Sequence, residues 1–133
     1  PKMSYFALGN YNALFATAKC DPSVAVGVAP EKDAGVRTLA FAMRCGAAMR
    51  FVYYAPFDFS LSYTGKVYEP RTDATVSVPR TCAPKDPVLA DPLRGGVYAV
   101  GSASIRGDAV VYSGLPLTDY PLVLTDRGSL NLR

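Results

Sequence analysis

The stretch Tyr53–Gly65, "YYAPFDFSLSYTG", decides the fold class. After Pro56, the side chains of Phe57, Phe59, Leu61 and Tyr63 alternate with those of Asp58, Ser60, Ser62 and Thr64. Successive side chains of a strand point to opposite faces, so this period of two predicts a β-strand with one dry face and one wet or partnered face. Pro56 has no amide hydrogen and marks a bulge or an edge within it. The dry face is too aromatic to stand exposed. No other segment matches its quality, which predicts a subunit whose covering is completed by neighbouring chains.

The rest of the composition agrees with a β-protein. With 133 residues, the expectation is one domain that buries about two thirds of its unfolded surface. Half the residues are hydrophobic and 19% are charged, a globular balance rather than a disordered one. Eleven Pro, eleven Gly, nine Tyr and six Phe point to short strands joined by turns. No apolar run approaches bilayer length, "VAVGV" and "TLAFAM" being far too short, so no membrane anchor is expected. The first residues, "PKMSYFALGN", lack the basic start and apolar core of a signal peptide. The net charge of +3 is spread singly from Lys2 to Arg133, without the stripe that tracks a phosphate backbone, so no specific nucleic-acid site is expected. Cys20, Cys45 and Cys82 are odd in number and widely spaced. Three reduced thiols of a cytosolic product is the favoured reading, with one bridge and one free thiol as the alternative.

Along the chain, "SYFALGNYNALFATAKC" (Ser4 to Cys20) reads as two short strands around "LGNYN", or as a helix from Tyr11 to Lys19. Its turn residues favour the extended form. "VRTLAFAMRCGAAMRFVYY" reads as a strand from about Val36 to Arg44, a Cys45-Gly46 turn, and a strand from Met49. Residues 65–96 carry five prolines and predict an ordered surface loop, within which only "ATVSV" and "PVLA" have strand character. "GGVYAVGSASI", "DAVVYSG", "YPLVLTDRG" and "SLNLR" return to strand patterns. Seven or eight short antiparallel strands result, an all-β sandwich or an open part of one, with long Pro-rich loops.

Catalytic chemistry finds little to work with. The chain has no histidine, which removes Ser-His-Asp and Cys-His arrangements, His metal ligation and the commonest neutral-pH base. No glycine-rich phosphate loop, S-x-x-K pair or Cys-x-x-Cys spacing is present, so no enzyme, cofactor or metal is expected. Most aspartates stand beside Pro, Gly or Thr, as in Asp21-Pro22, Asp86-Pro87 and Asp91-Pro92, where the carboxylate caps a turn. Asp58 is read as an outward, solvated carboxylate, the alternative being a partner for Arg50 or Arg44 across a subunit boundary. Arg106, Gly107 and Asp108 form the RGD tripeptide of integrin ligands, which turn chemistry also explains.

Two stretches carry a resemblance to picornavirus capsid proteins. "MSYFALGNYNALF", "KDAGVRTLAFAMR" and "MRFVYYAPFDFSLSY" with "YEPR" resemble a start, turn and late strand of that family, covering Met3 to Arg71. In a competing register, "MRFVYYAPFDFSLSYTG" resembles an earlier capsid strand, "ATVSVPRTCA" a later S-V-P segment, and "VVYSGLPLTDYPLVLTDRGSLNLR" a V-Y-x-G, Tyr, R-G-x-L run. Complete capsid jelly rolls of the family are longer. The resemblance therefore implies residues 1–133 as a single β-sandwich or part of a capsid jelly roll. It implies a structural virion protein in an icosahedral shell, found in the virion and, during assembly, in host cytoplasm. Its partners would be other capsid subunits, with a host receptor as a further partner at Arg106, Gly107 and Asp108. The alternative is a secreted β-sandwich binding module that uses loop tyrosines as its contact surface.

Overall fold

Phe51, Val52 and Tyr53 are three consecutive residues with no more than 1% exposure, which a strand allows only when both its faces are covered. The computed structural model describes residues 3–31, 37–56, 72–101 and 103–130. Among the described residues a helix, α1 (Met3–Phe15), precedes ten strands. They are β1 (Lys19–Cys20), β2 (Gly27–Pro30), β3 (Leu39–Cys45), β4 (Ala48–Tyr54) and β5 (Thr72–Pro79), then β6 (Pro87–Asp91), β7 (Gly96–Ala99), β8 (Ala103–Arg106), β9 (Ala109–Leu117) and β10 (Leu122–Asp126). One sheet has the order β1-β3-β4-β10-β6-β7 and the other β2-β5-β9-β8, and every pairing is antiparallel. The protein is an all-β sandwich with one helix laid on its outside.

The alternation of apolar residues explains both layers. Phe51 and Tyr53 of β4, Leu122 and Leu124 of β10 and Leu89 of β6 share the inter-sheet core with Val76, Val78, Tyr112 and Leu117. The residues between them, Val52, Val123 and Ala90, form a second cluster with Leu14, packed against Phe15, Phe41 and Met43. Helix α1 thus covers the outer face of the larger sheet, and the central strands β4, β10 and β6 lie between two apolar layers. Tyr53 also ties the sheets together, its hydroxyl donating to the Pro116 carbonyl of β9 at 2.8 Å.

A buried cation fixes the helix to the sheet. Arg50 is 3% exposed, and among the described residues no carboxylate pairs with it. Its Nε donates to the Leu14 carbonyl at 2.7 Å. Its terminal nitrogens donate to the Thr125 hydroxyl at 3.3 Å, the Ser129 hydroxyl at 3.2 Å and the Ser129 carbonyl at 3.1 Å. Leu14 lies in the last turn of α1, where carbonyls lack helical partners and a positive charge complements the dipole. The last turn contains no basic residue of its own, so Arg50 supplies that charge from β4. One turn earlier on the same face of the helix, the Asn10 side-chain amide donates to the Pro92 carbonyl at 3.2 Å.

Several expectations change. Residues 3–15 are helical rather than extended, because Leu14 and Asn10 are buried against the sheet and a helix brings both to one side. Residues 72–79 and 87–91, within the expected Pro-rich loop 65–96, form β5 and β6, two interior strands of the sandwich. "GGVYAVGSASI" is two strands, β7 and β8, which belong to different sheets. The hairpin of β3 and β4 forms as expected, with Cys45 paired to Ala48 across Gly46 and Ala47. The alternating stretch Phe57–Gly65, with Asp58, lies outside the described residues. Arg44 pairs with Asp21 at 3.2 Å on the surface.

Replacing Arg50 with Met leaves the Leu14 and Ser129 carbonyls and two hydroxyls short of donors, and should lower the unfolding free energy by about 3 kcal/mol. Arg50→Lys, with one compact head in place of a planar fork, should recover only part of that loss. Urea unfolding followed by circular dichroism measures both, and a loss below about 0.5 kcal/mol for Arg50→Met would contradict the clamp.

Candidate functional site

A cleft of about 660 Å³ opens between the sheets where β6, β7 and the second half of β9 come together. Its size falls within the range of about 300–1,000 Å³ typical of small-molecule sites. Leu89, Leu115 and Leu122 supply apolar wall, and Asp91, Arg94, Tyr98 and Tyr120 supply the polar groups.

Asp91 ends β6 and starts the turn into β7, and it is 7% exposed. One carboxylate oxygen, Oδ1, accepts from the Leu93 and Arg94 amides at 3.1 and 3.2 Å. This is the turn-capping role expected of an Asp-Pro pair. The other oxygen, Oδ2, accepts from the Tyr120 hydroxyl at 2.8 Å, 29 residues along the chain. Tyr120 is held in the β9–β10 connection by its own carbonyl, which accepts from the Thr118 hydroxyl at 2.7 Å. Burial pushes the Tyr120 phenol up, and the hydrogen bond and negative charge of Asp91 add to the effect.

Two backbone features shape the walls. Along β5 and β9 the register shifts between Ala74 and Val76, so that β9 carries an extra residue around Gly114. Gly114 has φ +70, the left-handed conformation that such bulges assign to glycine. Its amide donates to the Glu31 carboxylate at 2.9 Å, and the Thr75 hydroxyl donates to the same oxygen at 3.1 Å. Facing this bulge, Tyr98 folds back over Gly96 in β7. A Cβ at Gly96 would fall 2.7 Å from the Tyr98 Cζ and 2.9 Å from its Cε2, so the ring lies where only a hydrogen fits. Tyr98 remains 53% exposed at the mouth of the cleft.

The sequence-identified candidates lie elsewhere. Arg106 ends β8, and Gly107 and Asp108 form the two-residue turn into β9; all three are exposed. Gly107 has φ +59, and the Asp108 carbonyl accepts from the Arg80 amide at 2.7 Å. The tripeptide therefore stands at a hairpin tip, at the opposite end of β9 from the cleft. Cys20, Cys45 and Cys82 are all unbridged. Among the described residues no cluster of His, Cys, Asp and Glu has a metal-binding arrangement, and no helix is long and apolar enough to cross a membrane. The cleft itself escaped the sequence reading: Asp91 was legible as a turn cap, while its pairing with Tyr120 depends on two distant loops meeting. No protein-family model matches the chain, and no curated protein matches it.

The tyrosines set a pH dependence. Burial raises the phenol of Tyr53, and raises those of Tyr112 and Tyr120 as well. The folded chain then holds these protons more tightly than the unfolded chain, where tyrosine titrates at about 10. The stability these tyrosines contribute is complete below about pH 10 and declines as pH rises towards the folded-state values. Tyr120→Phe should cost about 1 kcal/mol at neutral pH and make this alkaline decline shallower, as read by urea unfolding at several pH values. An alkaline slope identical to that of the unsubstituted chain would remove Tyr120 from the account.

Proposed function

We propose that this chain is a structural virion protein, a non-enzymatic assembly subunit of an icosahedral shell built on a jelly-roll plan. The observation that carries this reading is the nesting of its strand pairs. β4 pairs with β10, β5 with β9 and β6 with β7, so the first half of this segment folds back along the second. These rungs alternate between the two sheets, and β10 pairs with β6 to set the first and third rungs side by side. A long hairpin wound in this way is the plan of jelly rolls, which build viral capsids and also lectins.

The sheet edges favour assembly within that plan. On one side the edges are blunted: β1 has two residues and β2 ends in Pro30. On the other side the edge strand β8 has all four residues exposed, Ile105 is 61% exposed, and Val97 of β7 is 41% exposed. An unpaired edge with apolar side chains is a template for a strand or loop of another chain. The resemblance to picornavirus capsid proteins names the kind of neighbour: other capsid subunits. A host receptor at the Arg106-Gly107-Asp108 tip belongs to the same proposal. The cleft favours a second reading, a secreted binding module that makes contact through loop tyrosines, with Tyr120 of the β9–β10 connection beside Tyr98 of β7.

Light scattering coupled to size exclusion separates the two. The shell reading expects assemblies far heavier than the 14.2 kDa chain, visible as particles by negative-stain microscopy, and fewer of them with Ile105→Lys. A 14.2 kDa monomer at every concentration, with Ile105→Lys indistinguishable from the parent, rejects it in favour of the binding module.

A further inference from the structure

We infer that the cleft between the sheets is a binding site for a neutral sugar ring, stacked on Tyr98 and hydrogen-bonded by Asp91, Tyr120 and Arg94. This holds whether the domain builds a shell or works alone, because it rests on the groups that line the cleft and not on Val97 and Ile105.

Three observations converge on that ligand. The first is the platform. Tyr98 brings the phenol end of its ring over the open side of Gly96, into space that a Cβ would fill, while the side chain stays half exposed at the mouth. A fixed aromatic face offers a large contact to a flat apolar surface at little cost in rotamer freedom. The second is the donor and acceptor inventory. An ionised carboxylate has about four lone-pair sites. The Leu93 and Arg94 amides and the Tyr120 hydroxyl take three at Asp91, which leaves room for one more donor. The Tyr120 oxygen retains acceptor capacity, and the Arg94 guanidinium forms no ion pair among the described residues. Acceptors and donors side by side match hydroxyl groups, each of which is both.

The third is charge. Arg94 and Asp91 both line the cleft, and the positive charge of Arg94 is felt at Tyr120, where it opposes that of Asp91. The inner polar group is therefore close to neutral, with Asp73 exposed on the rim. A phosphate would meet two carboxylates and one cation. A bare cation would meet a carboxylate already engaged by three donors. A ring with one apolar face and several hydroxyls suits the apolar walls of Leu89, Leu115 and Leu122 together with the polar set.

The test uses the full chain and a glycan array carrying neutral hexose and N-acetylhexosamine oligosaccharides beside sialylated and sulfated ones. The best-retained sugar is then titrated by saturation-transfer-difference NMR. Neutral glycans should be retained, with sugar ring protons receiving the strongest saturation. Tyr98→Ala should weaken binding about tenfold or more, and Tyr98→Phe should keep most of it. Gly96→Ala, which displaces the Tyr98 ring without touching ligand groups, should weaken it severalfold, and Arg94→Gln should do the same. These positions are at the surface or in an edge strand, and circular dichroism checks that each variant folds. Retention of anionic glycans alone, no retention of any glycan, or binding unchanged in Tyr98→Ala each overturns the assignment.

Discussion

Arg50 is the point at which three parts of the molecule meet. From one position on β4 its guanidinium reaches the end of α1, the middle of β10 and the turn after it. A buried cation without a carboxylate is costly unless every proton is engaged. Here the engagement is spread over two carbonyls and two hydroxyls, and no described buried side-chain polar atom is left without a partner. The consequence is mechanical as much as energetic. With α1 pinned, the outer face of β4, β10 and β6 is dry, and these strands can be apolar on both sides, as Phe51-Val52-Tyr53 and Leu122-Val123-Leu124 are. A sheet covered in this way is a rigid base for loops, and the Asp91–Tyr120 contact is made by two of them.

The cleft lies beyond the described end of β8. Among the described residues β8 pairs with residues 109–112 of β9, although β9 continues to Leu117. The bulge at Gly114 bends β9 just past that pairing. Glu31 secures the bulge through the Gly114 amide. The opposite wall is β7, the last strand of the other sheet, with Tyr98 laid over Gly96. Open edge and cleft thus lie on one side of the sandwich, that of β7 and β8. They serve different contacts: Ile105 and Val97 face a partner chain in the proposed assembly, while Tyr98 faces a ligand.

Strands and turns were largely legible in the sequence because they depend on local features. Short strand-like runs marked β3, β4, β5 and β9, and glycine-containing pairs marked the β3–β4 and β8–β9 turns. The helix was not legible, because Gly9 and two asparagines weaken its local signal. What holds it is Arg50, 36 residues from Leu14, and Pro92, 82 residues from Asn10. Proline density in residues 65–96 pointed to a loop, yet Pro79 and Pro87 stand at strand ends, where a missing amide costs least. The turn-capping role of Asp91 was readable from Asp91-Pro92, and its role in the cleft was not, since that required Tyr120.

The central claim is that β4 and β10, covered on both faces and clamped by Arg50, form the last structure to open. Native-state hydrogen exchange followed residue by residue measures this directly. The account predicts that the amides of Arg50–Tyr53 and Leu122–Thr125 exchange only by global unfolding. It also predicts that Leu14→Ala, which uncovers the outer face, accelerates them together with α1. Slower exchange in β8 and β9 than in these two strands, or unchanged exchange in β4 and β10 when Leu14 is truncated, would contradict it.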